Sequence, residues 1–171
     1  MSRVYSVNGS WTAAAARVSL SLLPAAFSEE LLSRGYIFAV LRHSWGVSGA
    51  LVATSVGFGL LHLQNAGVSL ESLMLVMLAG VFLGAVLIAT RSLYAAWMAH
   101  FAWNWTMAVL FHTAVSGIRF ESPDYRFVDT GPDWATGGSW GPEGGAAAGL
   151  GMLASIAYLY ARHSPRRRAR S

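Results

Sequence analysis

Long apolar stretches separated by short polar breaks run along most of the chain. Four of them, residues 47–65, 68–90, 93–115 and 144–161, are close to the length of a membrane span. A spanning helix needs about 20 mostly apolar residues, because the hydrocarbon core is roughly 30 Å thick and a helix rises about 1.5 Å per residue. The pattern therefore predicts four membrane-spanning helices in these stretches.

A fifth apolar segment, residues 12–41, is interrupted by charged side chains. These are Arg17, Glu29, Glu30 and Arg34. The segment is too long for one straight span, and Pro24 offers a position for a break or a kink. We interpret it as one more helix with a polar interior face. The predicted fold is all-α, a polytopic transmembrane helix bundle of about five spans.

The composition agrees with a membrane location. Apolar residues make up 54% of the 171 residues and charged residues only 12%, whereas a soluble domain is about 25% charged. This balance excludes a disordered tail, a collagen-like repeat and a nucleic-acid-binding module. The chain has no cysteine, which excludes a disulfide framework, a cysteine zinc site and a cysteine nucleophile.

The arginines predict how the bundle is oriented. All 12 basic residues are arginine, and five of them lie in the last ten residues, so the net charge of +4 reflects the tail. If loops alternate sides, Arg42, Arg91 and this tail share one side, and residues 116–143 lie on the other. The positive-inside rule then places the C-terminus in the cytoplasm. We expect the tail to contact anionic lipid rather than nucleic acid, and the protein to reside in a bacterial inner membrane.

These patterns divide the chain into five parts. They are an N-terminal tail (1–11), a membrane core (12–115), an extracytoplasmic acidic loop (116–143), a last transmembrane helix (144–161) and an arginine-rich cytoplasmic tail (162–171). The loop is long for a connection and contains Trp134 and Trp140. We interpret it as an ordered cap that rests on the membrane interface through its tryptophans, with a substrate-gating lid as the alternative.

Ionisable side chains inside the predicted spans mark a functional site, because each costs a few kcal/mol at membrane depth. Glu30 and Arg34 are four residues apart on one helical face, in the favourable acid-first order. Glu29 points about 100° away from them and has no counter-ion in its own helix. Glu29 is therefore a candidate general base.

Two further helices carry polar residues at the same spacing. His100 and Asn104 are four apart, as are Phe58 and His62. A carboxylate with an imidazole can activate water, and a second imidazole with an amide can donate hydrogen bonds to a developing oxyanion. Such groups suffice to hydrolyse an amide inside a membrane. Two histidines and a carboxylate are also the minimum for a zinc site with an open position, so both chemistries remain open.

Other known classes of membrane protease fit this chain less well. The two-histidine zinc motif HExxH is absent, and all three aspartates follow residue 120, which excludes an intramembrane aspartyl pair. The stretch Gly46-Val47-Ser48-Gly49 matches the GxSG motif of rhomboid serine proteases. However, the HxxxN motif follows it here and precedes it in rhomboids. We therefore interpret Ser48 as part of a turn or a helix cap.

Three motifs in this order identify a family resemblance. They are Glu29-Glu30-x-x-x-Arg34, Phe58-x-x-x-His62 and His100-x-x-x-Asn104, on successive apolar helices. The pattern resembles the CPBP family of intramembrane endopeptidases. This family includes the type II, Rce1-like CAAX prenyl proteases, the Abi-type bacteriocin-processing and immunity proteins, and proteins like the lysostaphin-resistance protein. The resemblance covers about residues 27–105.

The resemblance implies a role for each matched residue. Glu29 would activate water with His62 beside it, and His100 with Asn104 would stabilise the oxyanion. The supporting residues would be Glu30, Arg34 and Phe58. We favour a metal-free active site buried in the membrane, with no cofactor. If a metal were present, its ligands would be Glu29, His62 and His100, and zinc is the expected ion.

The predicted function is that of an intramembrane endopeptidase. Its partner would be a membrane protein or peptide substrate, cleaved in or next to a membrane segment. One alternative is a non-catalytic membrane binding or immunity protein that keeps the polar cluster for packing or recognition. The other is a proton-coupled transporter with Glu29, His62 and His100 as a relay, although the chain lacks the internal repeats typical of transporters.

Overall fold

Helices dominate the architecture, as the sequence predicts. The computed structural model describes residues 2–6, 9–120 and 124–163. The long helices are α1 (Trp11–Glu30), α2 (Phe38–Leu60), α3 (Leu70–Thr90), α4 (Leu93–Trp105) and, after the short helix α5 (Asp133–Thr136), α6 (Ala146–His163). Two π-helical segments, Leu31–Ile37 and Thr106–Leu110, extend α1 and α4. The predicted lipid-binding tail falls largely on residues 164–171, outside the described residues.

A small β-ribbon is the one non-helical addition among the described elements. Strand β1 (Ser2–Ser6) pairs antiparallel with β2 (Asp124–Val128). Strand β2 belongs to what we call the cap, the described part of residues 111–145. The cap also contains α5 and two short 3₁₀ turns, Gly138–Trp140 and Pro142–Gly144.

Serine caps explain where three of the helices begin. The hydroxyl of Ser10 accepts a hydrogen bond from the backbone N–H of Ala13 at the start of α1. Ser69 forms a reciprocal capping pair with Ser72 at the start of α3, and Ser92 caps α4. Each cap satisfies backbone donors that have no partner inside the helix.

The segment of residues 12–41 departs from regular α-helix, but not at Pro24, where a break or a kink was expected. Pro24 lies inside α1, and the π-helical geometry begins at Leu31, in the segment that carries Arg34. Such π-bulges occur frequently at functional sites. A break follows at Gly46, whose φ of 70° is a conformation that glycine adopts without steric cost. Gly46 thus separates the predicted segments 12–41 and 47–65.

Two of the predicted spans are too long at their C-terminal ends. Helix α2 ends at Leu60, so His62 lies in the turn of residues 61–69 and not on a helix. The helical geometry that begins with α4 ends at Leu110, because the N–H and the hydroxyl of Thr113 both turn back to the carbonyl of Met107. Apolar side chains continue past both ends, which is why hydropathy alone overestimates the two helices.

Helix α3 lies at the centre of the bundle, against α2, α4 and α6. The close approach of α2 and α3 depends on Gly80, since a Cβ atom there would lie 2.9 Å from the Cα of Ser55. Small residues at such positions let helix backbones come close together, as is typical of membrane helix pairs.

The surface of the bundle is strongly apolar. Many large apolar side chains are exposed, including Leu20 (77%), Tyr36 (70%) and Leu150 (69%), whereas soluble monomers rarely expose extensive apolar patches. Among the described residues, α3 is the helix that is long and apolar enough to cross a membrane by length and composition. The total of five spans remains a prediction.

Candidate active site

A cavity of about 490 Å³ lies within the bundle and brings the polar motifs together. Glu29, His62, His100 and Asn104 all line it, although they come from α1, the turn after α2, and α4. Apolar side chains such as Leu22, Val76, Phe82, Leu83 and Met152 form much of the remaining wall. The four residues to which the family resemblance assigns catalysis therefore share one space.

Glu30 is the buried centre of a charged cluster beside this cavity. Its side chain is fully buried, and its Oε1 lies 3.0 Å from Nη1 of Arg34, as the four-residue spacing predicts. The same oxygen lies 3.0 Å from Nδ1 of His100. The contact with His100 joins α1 to α4 and was not visible from either motif alone. Glu30 thus fixes the orientation of the His100 ring.

Glu29 has a different environment from its neighbour. Its side chain is 36% exposed and faces the cavity, and its Oε2 lies 4.0 Å from Nε2 of His100. That oxygen has no hydrogen-bond partner among the described residues. The resemblance implies that His62 is the imidazole beside Glu29, whereas the imidazole within 4.0 Å of Glu29 belongs to His100. His100 therefore lies between the two carboxylates.

Arg34 and Phe58 connect the cluster to the neighbouring helices. Nη2 of Arg34 donates a hydrogen bond of 3.0 Å to the carbonyl of Gly80 on α3. The guanidinium carbon lies 4.3 Å from the centre of the Phe58 ring. The Phe58 ring in turn lies 5.0 Å from the ring of His62 and 5.7 Å from that of His100, between ring centres. Phe58 thus lies next to Arg34 and to both histidines.

His62 is oriented by its own helix end. Its Nδ1 lies 2.8 Å from the carbonyl oxygen of Phe58. A carbonyl can only accept, so this contact assigns a hydrogen to Nδ1 and leaves Nε2 as an acceptor in the neutral ring. His62 also lines the cavity.

The cap contributes cavity residues that sequence reasoning did not identify. Glu143 is buried (6% exposed), and its Oε1 accepts hydrogen bonds from the backbone N–H and the hydroxyl of Ser116. Its Oε2 accepts one from the indole N–H of Trp103 on α4. Glu143, Ser116 and Trp103 all line the cavity. Glu143 lies in the glycine-rich stretch GGSWGPEGG, which is typical of an exposed loop, so the sequence carries no signal for its burial.

The tryptophans of the cap do not both face outward as predicted. Trp134 is 62% exposed, but Trp140 is 2% exposed and packs with Phe58, Val76 and Leu83. Trp140 thus anchors the cap to the helices and cannot rest on a membrane interface.

Asp129 organises the outer part of the cap. A hydrogen bond from the hydroxyl of Thr136, together with backbone N–H groups of Gly131 and Gly138, holds the pKa of this carboxyl below its ordinary value. All of these partners lie within ten residues of Asp129, so its contacts are local to the cap.

The described residues do not assemble a metal centre. No three His, Asp or Glu side chains among them lie in a group that could hold a metal ion. Glu29, His62 and His100 line one cavity without forming such a group. As placed, they do not fit a three-ligand zinc site, and the absence of a cofactor remains a prediction.

The comparisons with known proteins bear on the same residues. Residues 11–106, more than half of the chain, match the family model described as "Type II CAAX prenyl endopeptidase Rce1-like". This range contains all three polar motifs. No curated protein and no solved structure matches the chain.

Proposed function

The chain belongs to the Rce1-like family of type II CAAX prenyl endopeptidases, and on this basis we propose that it hydrolyses a peptide bond in or next to a membrane segment of a protein substrate. Membership makes it a membrane-embedded protease. The observation that carries the finer proposal is the convergence of Glu29, His62, His100 and Asn104 on one cavity.

We assign Glu29 as the group that activates water. Of the two adjacent carboxylates, Glu30 is fully buried against Arg34 and His100, whereas Glu29 is 36% exposed and lines the cavity. A water beside Glu29 would lose a proton to this carboxylate as its oxygen attacks the scissile carbonyl carbon. The π bond of the carbonyl breaks and its oxygen becomes an oxyanion. When the double bond re-forms and the C–N bond breaks, the proton held by Glu29 is available for the leaving amine.

His100 and Asn104 are the groups assigned to the oxyanion. The Nδ1 of His100 is held by Glu30, so its Nε2 is the ring atom turned toward Glu29 and the cavity. In the imidazolium form, Nε2 donates a hydrogen bond, as does the Asn104 amide one helical turn away. Fixed donors of this kind stabilise the charge that develops in the transition state.

His62 is assigned to proton movement. Because Nδ1 is held by the Phe58 carbonyl, Nε2 is the acceptor that can pass the proton taken up by Glu29 on to the leaving amine. The remaining wall is largely apolar, which suits a substrate segment taken from a membrane. This mechanism uses the chain's own residues and no metal.

The test compares protein termini in the membranes of cells that carry the wild type or the variant Glu29→Gln. The matched control is Glu71→Gln, because Glu71 is exposed in the first turn of α3 and lies away from the cavity. We expect new termini with the wild type and with Glu71→Gln, and none with Glu29→Gln at equal abundance. Mass spectrometry of enriched termini would give both the result and the substrate.

The opposite results point to the other classes of protein. Identical termini in all three strains, with folded protein in each, would reject proteolysis and favour a binding or immunity role. A change in proton-coupled uptake for Glu29→Gln, without any change in termini, would favour a transporter.

A further inference from the structure

A chain of hydrogen bonds runs through the cap and connects α4 to the turn that carries His62. Its first link is the indole N–H of Trp103, which lies 3.2 Å from Oε2 of Glu143. The second link joins Oε1 of Glu143 to Ser116, whose hydroxyl lies 2.6 Å away and whose backbone N–H also donates to that oxygen. The last link joins the carbonyl of Ser116 to Nδ2 of Asn65 at 2.9 Å.

The two ends of this chain lie beside the assigned catalytic groups. Trp103 precedes Asn104 and lies one helical turn from His100, and Asn65 is three residues after His62. All four members of the chain line the cavity. This chain of hydrogen bonds therefore connects the two parts of the site, which lie on α4 and in the turn after α2.

The turn of residues 61–69 needs such a connection because it has no regular helix to hold it. Its backbone hydrogen bonds are local, for example from Leu63 to Leu60 and from Asn65 to His62. Local turns of this kind open at low free-energy cost. The side chain of Asn65 ties the turn to Ser116, which is 51 residues away in sequence.

We propose that Glu143 is a positioning residue that holds the His62 turn and α4 in register across the cavity. Its carboxylate is buried and accepts three hydrogen bonds, two from Ser116 and one from Trp103. Hydrogen bonds to a carboxylate are stronger than those between neutral groups. Glu143 therefore contributes most to the stability of this chain of hydrogen bonds. This role rests on the proposed function only in that the positioned residues are those assigned to hydrolysis.

An isosteric substitution separates this role from simple packing. Glu143→Gln keeps the shape of the side chain but replaces one acceptor oxygen with an NH₂ donor. That donor must face either Trp103 or Ser116, both of which donate here. The matched control is Asp129→Asn, the same change in a cap carboxylate whose hydrogen bonds stay within the cap.

The first measurement is amide hydrogen exchange of the purified full chain in detergent micelles, which requires no substrate. We expect Glu143→Gln and Asn65→Ala each to raise exchange of residues 61–69 by about tenfold, the loss of one or two net hydrogen bonds. The double variant should exceed the larger single effect only slightly, because both residues act through Ser116. Asp129→Asn should leave these amides unchanged and loosen only the outer cap.

The second measurement is the yield of the wild-type termini in cells at matched abundance. Glu143→Gln and Asn65→Ala should both lower it at least severalfold, and Asp129→Asn should not. Unchanged exchange of residues 61–69 in Glu143→Gln, fully additive effects in the double variant, or loosening that extends throughout α1 and α3 would each overturn the proposal. Should the wild type produce no termini while the coupled exchange is observed, the positioning role would stand and the proposed function would fail.

Discussion

Two adjacent carboxylates illustrate how much a single helical step matters at the scale of residues. Glu29 and Glu30 differ by about 100° around the helix. That rotation buries Glu30 against Arg34 and His100 and leaves Glu29 facing the cavity. One carboxylate can then hold the site together while the other remains available to react.

The buried pair leads to a prediction about stability. Arg34→Met should lower the free energy of unfolding by about 3–5 kcal/mol, because it leaves Glu30 buried without its counter-charge. The double variant Glu30→Gln with Arg34→Met should be less destabilised than the sum of the two single variants. Reversible unfolding in mixed detergent, followed by circular dichroism, measures all three.

A control for this prediction is Arg42→Met, since Arg42 is exposed. Its unfolding free energy should stay within about 0.5 kcal/mol of the wild type. Equal stability of the Arg34 and Arg42 variants would contradict a structural role for the pair.

The sequence could predict contacts only where they are local. The four-residue spacing of Glu30 and Arg34 is sufficient to predict their ion pair, because both lie on one helical face. The contact between Glu30 and His100 spans 70 residues and depends on how α1 and α4 pack. For the same reason, the sequence grouped Glu29 with His62, whereas the packing places His100 beside it.

At the scale of elements, the starts of α3 and α4 were predictable, and the C-terminal ends of α2 and α4 were not. The hydroxyls of Ser69 and Ser92 accept hydrogen bonds from backbone N–H groups in the first turns of α3 and α4. These helices therefore begin close to where the pattern indicates. The turn that carries His62 and the segment 111–115 contain apolar residues that line the cavity, such as Leu61 and Val115. Hydropathy therefore cannot distinguish them from the helices that they follow.

The packing of α2 on α3 gives a second prediction. Gly80→Ala should destabilise the protein by about 1–3 kcal/mol, because the new methyl group would press on Ser55 and on Nη2 of Arg34. It should also lower the yield of new substrate termini. Gly57→Ala is the matched control. A Cβ atom at Gly57 meets nothing within 4 Å, and alanine should stabilise the helix by about 0.5–1 kcal/mol.

Thermal unfolding measures the stability of both glycine variants, and the yield of new substrate termini measures their activity. A Gly80→Ala protein as stable and as active as Gly57→Ala would show that the contact of α2 with α3 tolerates a wider spacing than the structure has.

At the scale of the whole molecule, the turn of residues 61–69 and the cap lie at the same end of the bundle. Asn65 contacts Ser116 directly, which agrees with the alternation of loops used to interpret the arginines. Which side of the membrane this end occupies remains a prediction from the charge distribution.

The lack of cysteine makes that orientation directly testable. We expect a single cysteine introduced by Asp133→Cys in the cap to react with a membrane-impermeant maleimide in intact cells. A cysteine introduced by His43→Cys should react only after lysis. Both positions are exposed, so burial cannot account for a difference. The reversed pattern would invert the proposed topology.

The family match ends at residue 106, but residues after this position also line the cavity. The groups assigned to hydrolysis lie within the matched range, while Ser116, Ile118, Glu143 and Met152 come from the part of the chain that follows. The matched range thus contains the groups assigned to hydrolysis, and the part of the chain after it completes the wall of the cavity. Substitutions at Ile118 or Met152 would therefore change the shape of the cavity without replacing any group assigned to hydrolysis.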